Sequence, residues 1–406
     1  MKRSLLVLAA LAVGLAVGLG SALALGDSSS APPASTSSAP STTEATVPPT
    51  SAPTTVLPPA TVPAPEDRVL LAWTAGGLPT GFADGVRGLA GIRDLTVVRG
   101  DLRGLVATDD GGGQVVDRVT PGWAIPFDVL AVDPGGFGRF LPRAARRVLG
   151  RLGTGEVVLS ETSATLRRLA VGGRLRLEAG PTLTVVGVVP DLSVAGAEAV
   201  VSRATGTTIG VTTERYLLLH HRGDRAPLDT AIRVLTSEAV RTRAAGETPF
   251  LRHADAVLPQ ALIKARFGEF TYRTAGPGPV TLDPDWVAEN IVTVDLPVLG
   301  ATTCHRALLP ALRGALAEIV ADNLAHLVAS FEGCFNPRTI AGSSQLSRHA
   351  WGAAVDLNFS VNPTGTSTIQ DPRLVAVFER WGFGSGDFWL VPDSGHFEYI
   401  APPTGG

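Results

Sequence analysis

The first run of ordered apolar positions is Arg68-Val69-Leu70-Leu71-Ala72-Trp73, which predicts a strand. From there to about residue 245, short β-like runs alternate with glycine-rich turns. Leu105-Val106-Ala107-Thr108 runs into Asp109-Asp110-Gly111-Gly112-Gly113, a strand followed by a loop. Glu156-Val157-Val158-Leu159-Ser160 predicts another strand, and residues 163–169 predict a helical turn or two. Arg174-Leu175-Arg176-Leu177-Glu178 alternates cleanly, and the apolar run 183–189 ends at Pro190. His220-His221 closes a strand that begins at Tyr216; adjacent side chains on a strand point to opposite faces, so the pair cannot easily share one ion. Asp109 and Asp110 lack a spaced set of oxygen ligands and read as a turn. Residues 66–245 are thus expected to form an α+β module with few candidate catalytic groups.

The pattern changes near residue 250. Residues 261–267 predict a helix, and Asp283-Pro284 predicts the start of another, with Asp283 as N-cap and Pro284 at the first helical position. Ile291-Val292-Thr293-Val294 is strand-like. Residues 306–328 carry apolar positions at Leu309, Leu312, Leu316, Ile319, Val320, Leu324 and Leu327, an amphipathic helix expected to pack behind a sheet. Two short runs near the C-terminus predict strands of that sheet. On the first, Ala354, Asp356 and Asn358 would share a face; on the second, His396 and Glu398 would share one, with Phe397 and Tyr399 opposite. Residues 250–402 are expected to form a second α+β domain, a small antiparallel sheet with helices packed on one side.

The N-terminus changes the setting. Lys2 and Arg3 precede a long apolar run that reaches Ala22-Leu23-Ala24, an A-x-A-like cleavage site. Residues 1–26 therefore predict a signal peptide or, uncleaved, a membrane anchor. Residues 27–65 are almost wholly Ser, Thr, Pro and Ala, a composition that buries no core and predicts a disordered linker. Both readings place the rest outside the cytoplasm, secreted or anchored at the cell envelope. A net charge of -3 gives no footprint for nucleic acid. The two cysteines, Cys304 and Cys334, flank the long predicted helix. In an exported protein a disulfide would tie the loops at its two ends; in a cytosolic one they would be buried thiols.

The chemistry-bearing residues gather late in the chain. Ser347-Arg348-His349-Ala350-Trp351-Gly352-Ala353-Ala354-Val355-Asp356 is answered by Asp393-Ser394-Gly395-His396-Phe397-Glu398. His349, Asp356 and His396 offer two imidazoles and a carboxylate as metal ligands, the inventory of a catalytic zinc site with one position left open. Asp393, three residues before His396, is placed to act as general base and then acid; Glu398 is the rival base, or a partner that orients an imidazole. Arg338, shortly before the first ligand, can stabilise a developing oxyanion or hold a substrate carboxylate.

The pattern Ser347-x-His349-x-x-Gly352-x-Ala354-x-Asp356 with the later Asp393-x-x-His396 resembles the signature of the M15 zinc peptidases. These include VanY-type D-alanyl-D-alanine carboxypeptidases and the L-alanyl-D-glutamate endopeptidases of phage lysins. The resemblance covers roughly residues 250–402. It implies Zn2+ held by His349, Asp356 and His396, with Asp393 as general acid/base and Arg338 on the substrate or the tetrahedral intermediate. Asp stands at the base position where many carboxypeptidase members have Glu. Pieces of the middle segment, Leu130-Ala131-Val132-Asp133-Pro134 and Leu183 through Asp191 among them, resemble the extracytoplasmic domain of MacB/FtsX-type permeases, whose membrane helices are absent here.

The expected function is therefore an extracytoplasmic zinc metallopeptidase that hydrolyses peptidoglycan stem peptides. The alternative is a non-catalytic wall-binding or scaffold protein whose middle module binds a protein partner.

Overall fold

In the computed structural model, residues 69–244, 247, 258–366 and 369–402 are described. The predicted signal, the linker 27–65 and most of the junction between the two modules lie outside them. Ten strands of the middle module join one sheet: β1 (Val69–Thr74), β2 (Ile92–Asp109), β3 (Val115–Arg118), β4 (Ile125–Val132), β5 (Glu156–Ser160), β6 (Arg174–Leu177), β7 (Thr182–Val189), β8 (Ala199–Ser202), β9 (Glu214–His221) and β10 (Val240–Ala244). Their order is β10-β1-β9-β2-β4-β8-β5-β7-β6, with β3 hydrogen-bonded to β2.

The sheet closes because β2 is long. Its 18 residues pair with β9 over Ile92–Arg99, with β4 over Arg99–Leu105 and with β6 over Leu105–Asp109, so β2, β4, β8, β5, β7 and β6 form a closed six-stranded barrel. One alternation set from these strands fills a single core: Leu105, Phe127, Val129, Val157, Leu159, Leu175, Leu177, Leu183, Val185, Ala199 and Val201. A barrel this small is filled by side chains and holds no channel. The opposite set, including Leu130, Val158 and Val200, packs with Leu141, Ala145 and Leu149 in another cluster.

The second module has three small sheets. β11 (Tyr272–Arg273) pairs with β12 (Thr281–Leu282), and β13 (Ile291–Leu296) pairs with β14 (Gly300–His305). The third runs β15-β16-β18-β17, where β15 is Phe331–Gly333, β16 Ala354–Leu357, β17 Phe383–Gly386 and β18 Asp393–Tyr399; every pairing is antiparallel. Helix Pro372–Arg380 buries Leu374, Val377 and Phe378, and Phe378 stacks on Phe397 of β18. The mixed helix and strand content is that of an α+β protein.

The long helix is shorter than the periodicity predicts. It spans Leu309–Ala321, with Pro310 in its first turn. Proline lacks an N–H to donate and so belongs there; a helix begun at residue 306 would hold Pro310 past that position. Asn323 takes φ 57, which ends the helix, and residues Ala325–Leu327 form a separate 3-10 turn. Cys304 and Cys334 form a disulfide across this helix, as its flanks suggested. Asp283 caps the helix Pro284–Asn290 by accepting from the Asp285 N–H.

All described residues belong to one compact unit. The core around β16 and β18 takes in Leu102 and Ala124 from the barrel side, and Ala124 forms a two-way backbone bridge with Tyr272. No helix among the described residues is long and apolar enough to cross a membrane.

Candidate metal centre and active site

Three of the five predicted site residues meet. β16 and β18 pair with Asp356 opposite His396 and Ala354 opposite Glu398. Directly opposed residues share a face of the sheet, so both carboxylates and His396 project to one side, beside the small Ala354. Asn358 does not continue that face: at φ 58 it leaves the strand, and its amide ties to Ala329, Ser330, Leu327 and Gln370.

His349 arrives from the 3-10 turn Arg348–Trp351. The Ser347 hydroxyl caps this turn by accepting from the His349 N–H at 3.3 Å. Gly352 ends it at φ 61, and a Cβ there would lie 2.7 Å from the His305 backbone nitrogen. Only glycine combines that backbone conformation with so close an approach. His349 Nδ1 donates to the Cys334 carbonyl at 2.8 Å. Because a carbonyl only accepts, the proton sits on Nδ1 and the Nε2 lone pair faces the site.

His349 Nε2 lies 3.0 Å from Asp356 Oδ1 and 3.2 Å from His396 Nδ1, and the last two atoms lie 2.9 Å apart. Among the described residues these three side chains form the one group of His, Cys, Asp or Glu able to share an ion. The separations are near the about 3.3 Å between ligands held tetrahedrally at zinc distances. Two imidazoles and one carboxylate suit Zn2+, whereas Ca2+ takes six to eight oxygens. The donor set therefore fits the metal that the sequence implies.

The electrostatics agree. Burial pushes the Asp356 carboxyl up, but the two imidazoles beside it, His349 and His396, hold it well below the usual carboxylate range. Burial pushes the His396 imidazole down, yet Asp356 and Glu398 outweigh it and raise it to about 10. Positive charge is strongly favoured where the three donors converge. Glu398 Oε2 stands 3.6 Å from His396 Nε2, on the far side of the ring from Asp356, a placement suited to orienting the imidazole.

Asp393 opens β18 and is half-buried, and its Oδ1 accepts from the Thr364 hydroxyl at 2.8 Å. The pairing with β17 slips here: Ser385 opposes Phe397 while Gly386 opposes Asp393, so simple alternation between Asp393 and His396 is broken. Asp393 is outside the convergent group of three. Arg338 is half-buried, and its Nη1 donates to Ser347 Oγ at 3.2 Å, beside the turn that carries His349. The Trp389 ring lies 5.2 Å from that of His396, and the adjacent Phe388 is 78% exposed. Neither aromatic was singled out by the sequence, nor was the Cys334 carbonyl. His220 stacks on Phe140 and His221 is buried, and among the described residues neither joins a group able to share an ion.

A family profile described as D-alanyl-D-alanine carboxypeptidase matches residues 341–399. The C-terminal region is thus similar to D-alanyl-D-alanine carboxypeptidases. The matched stretch contains His349, Asp356, Asp393 and His396; Arg338 precedes it. No curated protein matches the chain. Among solved structures, the periplasmic region of MacB from Actinobacillus actinomycetemcomitans is 13% identical, covering 44% of this chain and 88% of that one, with a TM-score of 0.29. The extracellular domain of the noncanonic ABC-type transporter YknZ from Gram-positive bacteria is 12% identical, covering 43% and 99%, also with a TM-score of 0.29.

Proposed function

We propose that residues 250–402 form a zinc metallopeptidase acting outside the cytoplasm on peptidoglycan stem peptides, cutting a D-Ala-D-Ala or L-Ala-D-Glu bond. The observation that carries this reading is the convergence of His349 Nε2, Asp356 Oδ1 and His396 Nδ1 within 3.2 Å of one another. Zn2+ bound there supplies a Lewis acid that polarises a peptide carbonyl and makes water more acidic. Asp393 takes the proton of the attacking water and returns it to the leaving amine. Its hydrogen bond from Thr364 fixes one carboxylate oxygen and leaves the other to accept. Arg338 spends one N–H on Ser347, and its remaining donors face anionic substrate oxygen. Glu398 holds His396 in register. Residues 1–26 and 27–65 serve as export signal or anchor and as tether, and residues 66–245 form a further folded module beside the peptidase.

The deciding experiment incubates the exported protein, with and without His349→Ala, with defined stem peptides and measures product masses and bound metal. Release of D-Ala or of a cleaved L-Ala-D-Glu stem by the zinc-loaded wild type, and by it alone, is expected. A wild type that holds no zinc and leaves every peptide intact ends the enzyme reading.

A further inference from the structure

The turn that carries His349 is held at both ends by one segment, residues 258–272. Arg348 Nη2 donates to the Leu258 carbonyl at 2.6 Å, and Trp351 Nε1 donates to the Gly268 carbonyl at 3.2 Å. Phe270 packs on Trp351 with ring centroids 4.7 Å apart. Arg348 and Trp351 are buried, so neither bond is exchanged for water without opening the core.

The same segment is fastened to the barrel by charges of which three are fully buried and the fourth, Glu269, is 19% exposed. Arg167 sits on the helix Glu161–Arg167 and meets Glu269 through two hydrogen bonds of 2.6 and 2.5 Å. Lys264 lies on the helix Gln260–Phe267 and meets Glu198 at 2.8 Å and Glu269 at 2.9 Å; it also donates to the Pro126 carbonyl. Gln260 Nε2 donates to Glu198 Oε2 at 2.9 Å, and the Asp128 N–H donates to the same oxygen at 3.0 Å. The side chains of Arg167, Lys264 and Glu198 are all 0% exposed. Two cations and two anions balance. Removing one leaves a buried charge uncompensated, a large penalty in a water-free site.

We propose that residues 258–272 act as a clasp through which the barrel positions the first metal ligand. Arg348 and Trp351 are its positioning contacts on the turn, and Glu269 and Lys264 its anchors on the barrel. The barrel is then a structural part of the metal centre and not an independent module joined by a linker. A C-terminal half expressed without it would take Glu198 and Pro126 from Lys264 and Arg167 from Glu269, leaving those two only each other. The inference rests on the reading of His349 as a metal ligand.

The test uses the full chain with Glu269→Gln, which keeps shape and removes one anchor charge, and Trp351→Phe, which keeps an aromatic ring but removes the indole N–H together with part of the ring volume. Two quantities are read: zinc affinity by chelator competition, and amide exchange over residues 345–357 in metal-free protein. The clasp predicts that each folded variant loses affinity ~10-fold and exchanges faster over 345–357, while exchange in β13 stays as in wild type. Affinity and local exchange both within about 2-fold of wild type in a folded variant would overturn it. Should Glu269→Gln fail to fold, Trp351→Phe alone decides. Should the wild type bind no zinc, the peptidase reading falls, and exchange over 345–357 still decides the clasp.

Discussion

Two of the buried polar clusters among the described residues differ in one respect. Around Arg167, Lys264, Glu198 and Glu269, each anion meets donors: Glu198 accepts from Arg167, Lys264, Gln260 and the Asp128 N–H, and Glu269 from Arg167 and Lys264. Around His349, Asp356 and His396, three lone-pair atoms face one another with too few protons between them. In the first cluster every carboxylate is met by donors, with only Arg167 Nε left without a partner, and it serves packing. The second is satisfied only by added positive charge, a proton on His396 or a cation at the centre. Burial alone does not mark a functional site; unbalanced acceptors do.

The largest expected effect separates holding the metal from moving the proton. Asp393→Ala should keep zinc at wild-type stoichiometry while kcat falls by roughly 10²- to 10⁴-fold. Metal analysis and turnover on the same preparation check this. Unchanged turnover would move the proton-transfer role away from Asp393.

The disulfide gives the C-terminal half a constraint that the barrel lacks among the described residues. Cys304→Ser with Cys334→Ser should lower unfolding free energy by about 3.6 kcal/mol, because the bridge joins residues 30 apart in the unfolded chain. Urea titration measures it. Since the Cys334 carbonyl orients His349, zinc affinity should weaken as well.

Acid sharpens the contrast further. Burial pushes His305 down to about 4 from 6.5. Its neutral ring is favoured in the fold, so this stability is full above pH 6.5 and is lost as pH falls towards 4. Burial pushes Glu269 up, but Lys264 and Arg167 prevail and hold it at about 2 from 4.5, so its contribution is lost between pH 4.5 and 2. His396 has the opposite sign: raised to about 10 without metal, it stabilises below pH 6.5 and stops doing so as pH rises through 10. Metal-free protein should therefore lose on the order of 2 kcal/mol between pH 7 and 4, read from the urea midpoint, and His305→Gln should flatten that slope. A midpoint independent of pH over that range would contradict the burial of a neutral His305.

How much of this could be read from the chain depended on the range of the interaction. His349, Asp356 and His396 were legible because metal chemistry demands those residue types and the strands around them alternate locally. Helix Pro372–Arg380 went unread although Asp371-Pro372 repeats the Asp283-Pro284 start signal and Leu374, Val377 and Phe378 mark its buried face. The extended reading of residues 306–328 gave weight to periodicity over Pro310. Barrel closure was not legible, since it depends on which partners β2 takes at each end, a matter of register between distant strands. Nor was the ion cluster: each of its members, taken alone, is an ordinary polar residue on a helix or beside a strand.

Glu398 provides the finest test, because it was the rival for the role given to Asp393. It is 2% exposed and stands beside the ring nitrogen of His396 that faces away from Asp356. Glu398→Gln keeps the shape and removes the charge that supports the imidazole. Zinc affinity should fall ~10-fold, about 1.4 kcal/mol, while kcat of the fully loaded enzyme changes little. Asp393→Ala should give the reverse pattern, intact affinity with turnover lost. If Glu398→Gln instead keeps its zinc and loses turnover by about 100-fold or more, Glu398 moves the proton and the two carboxylates exchange roles.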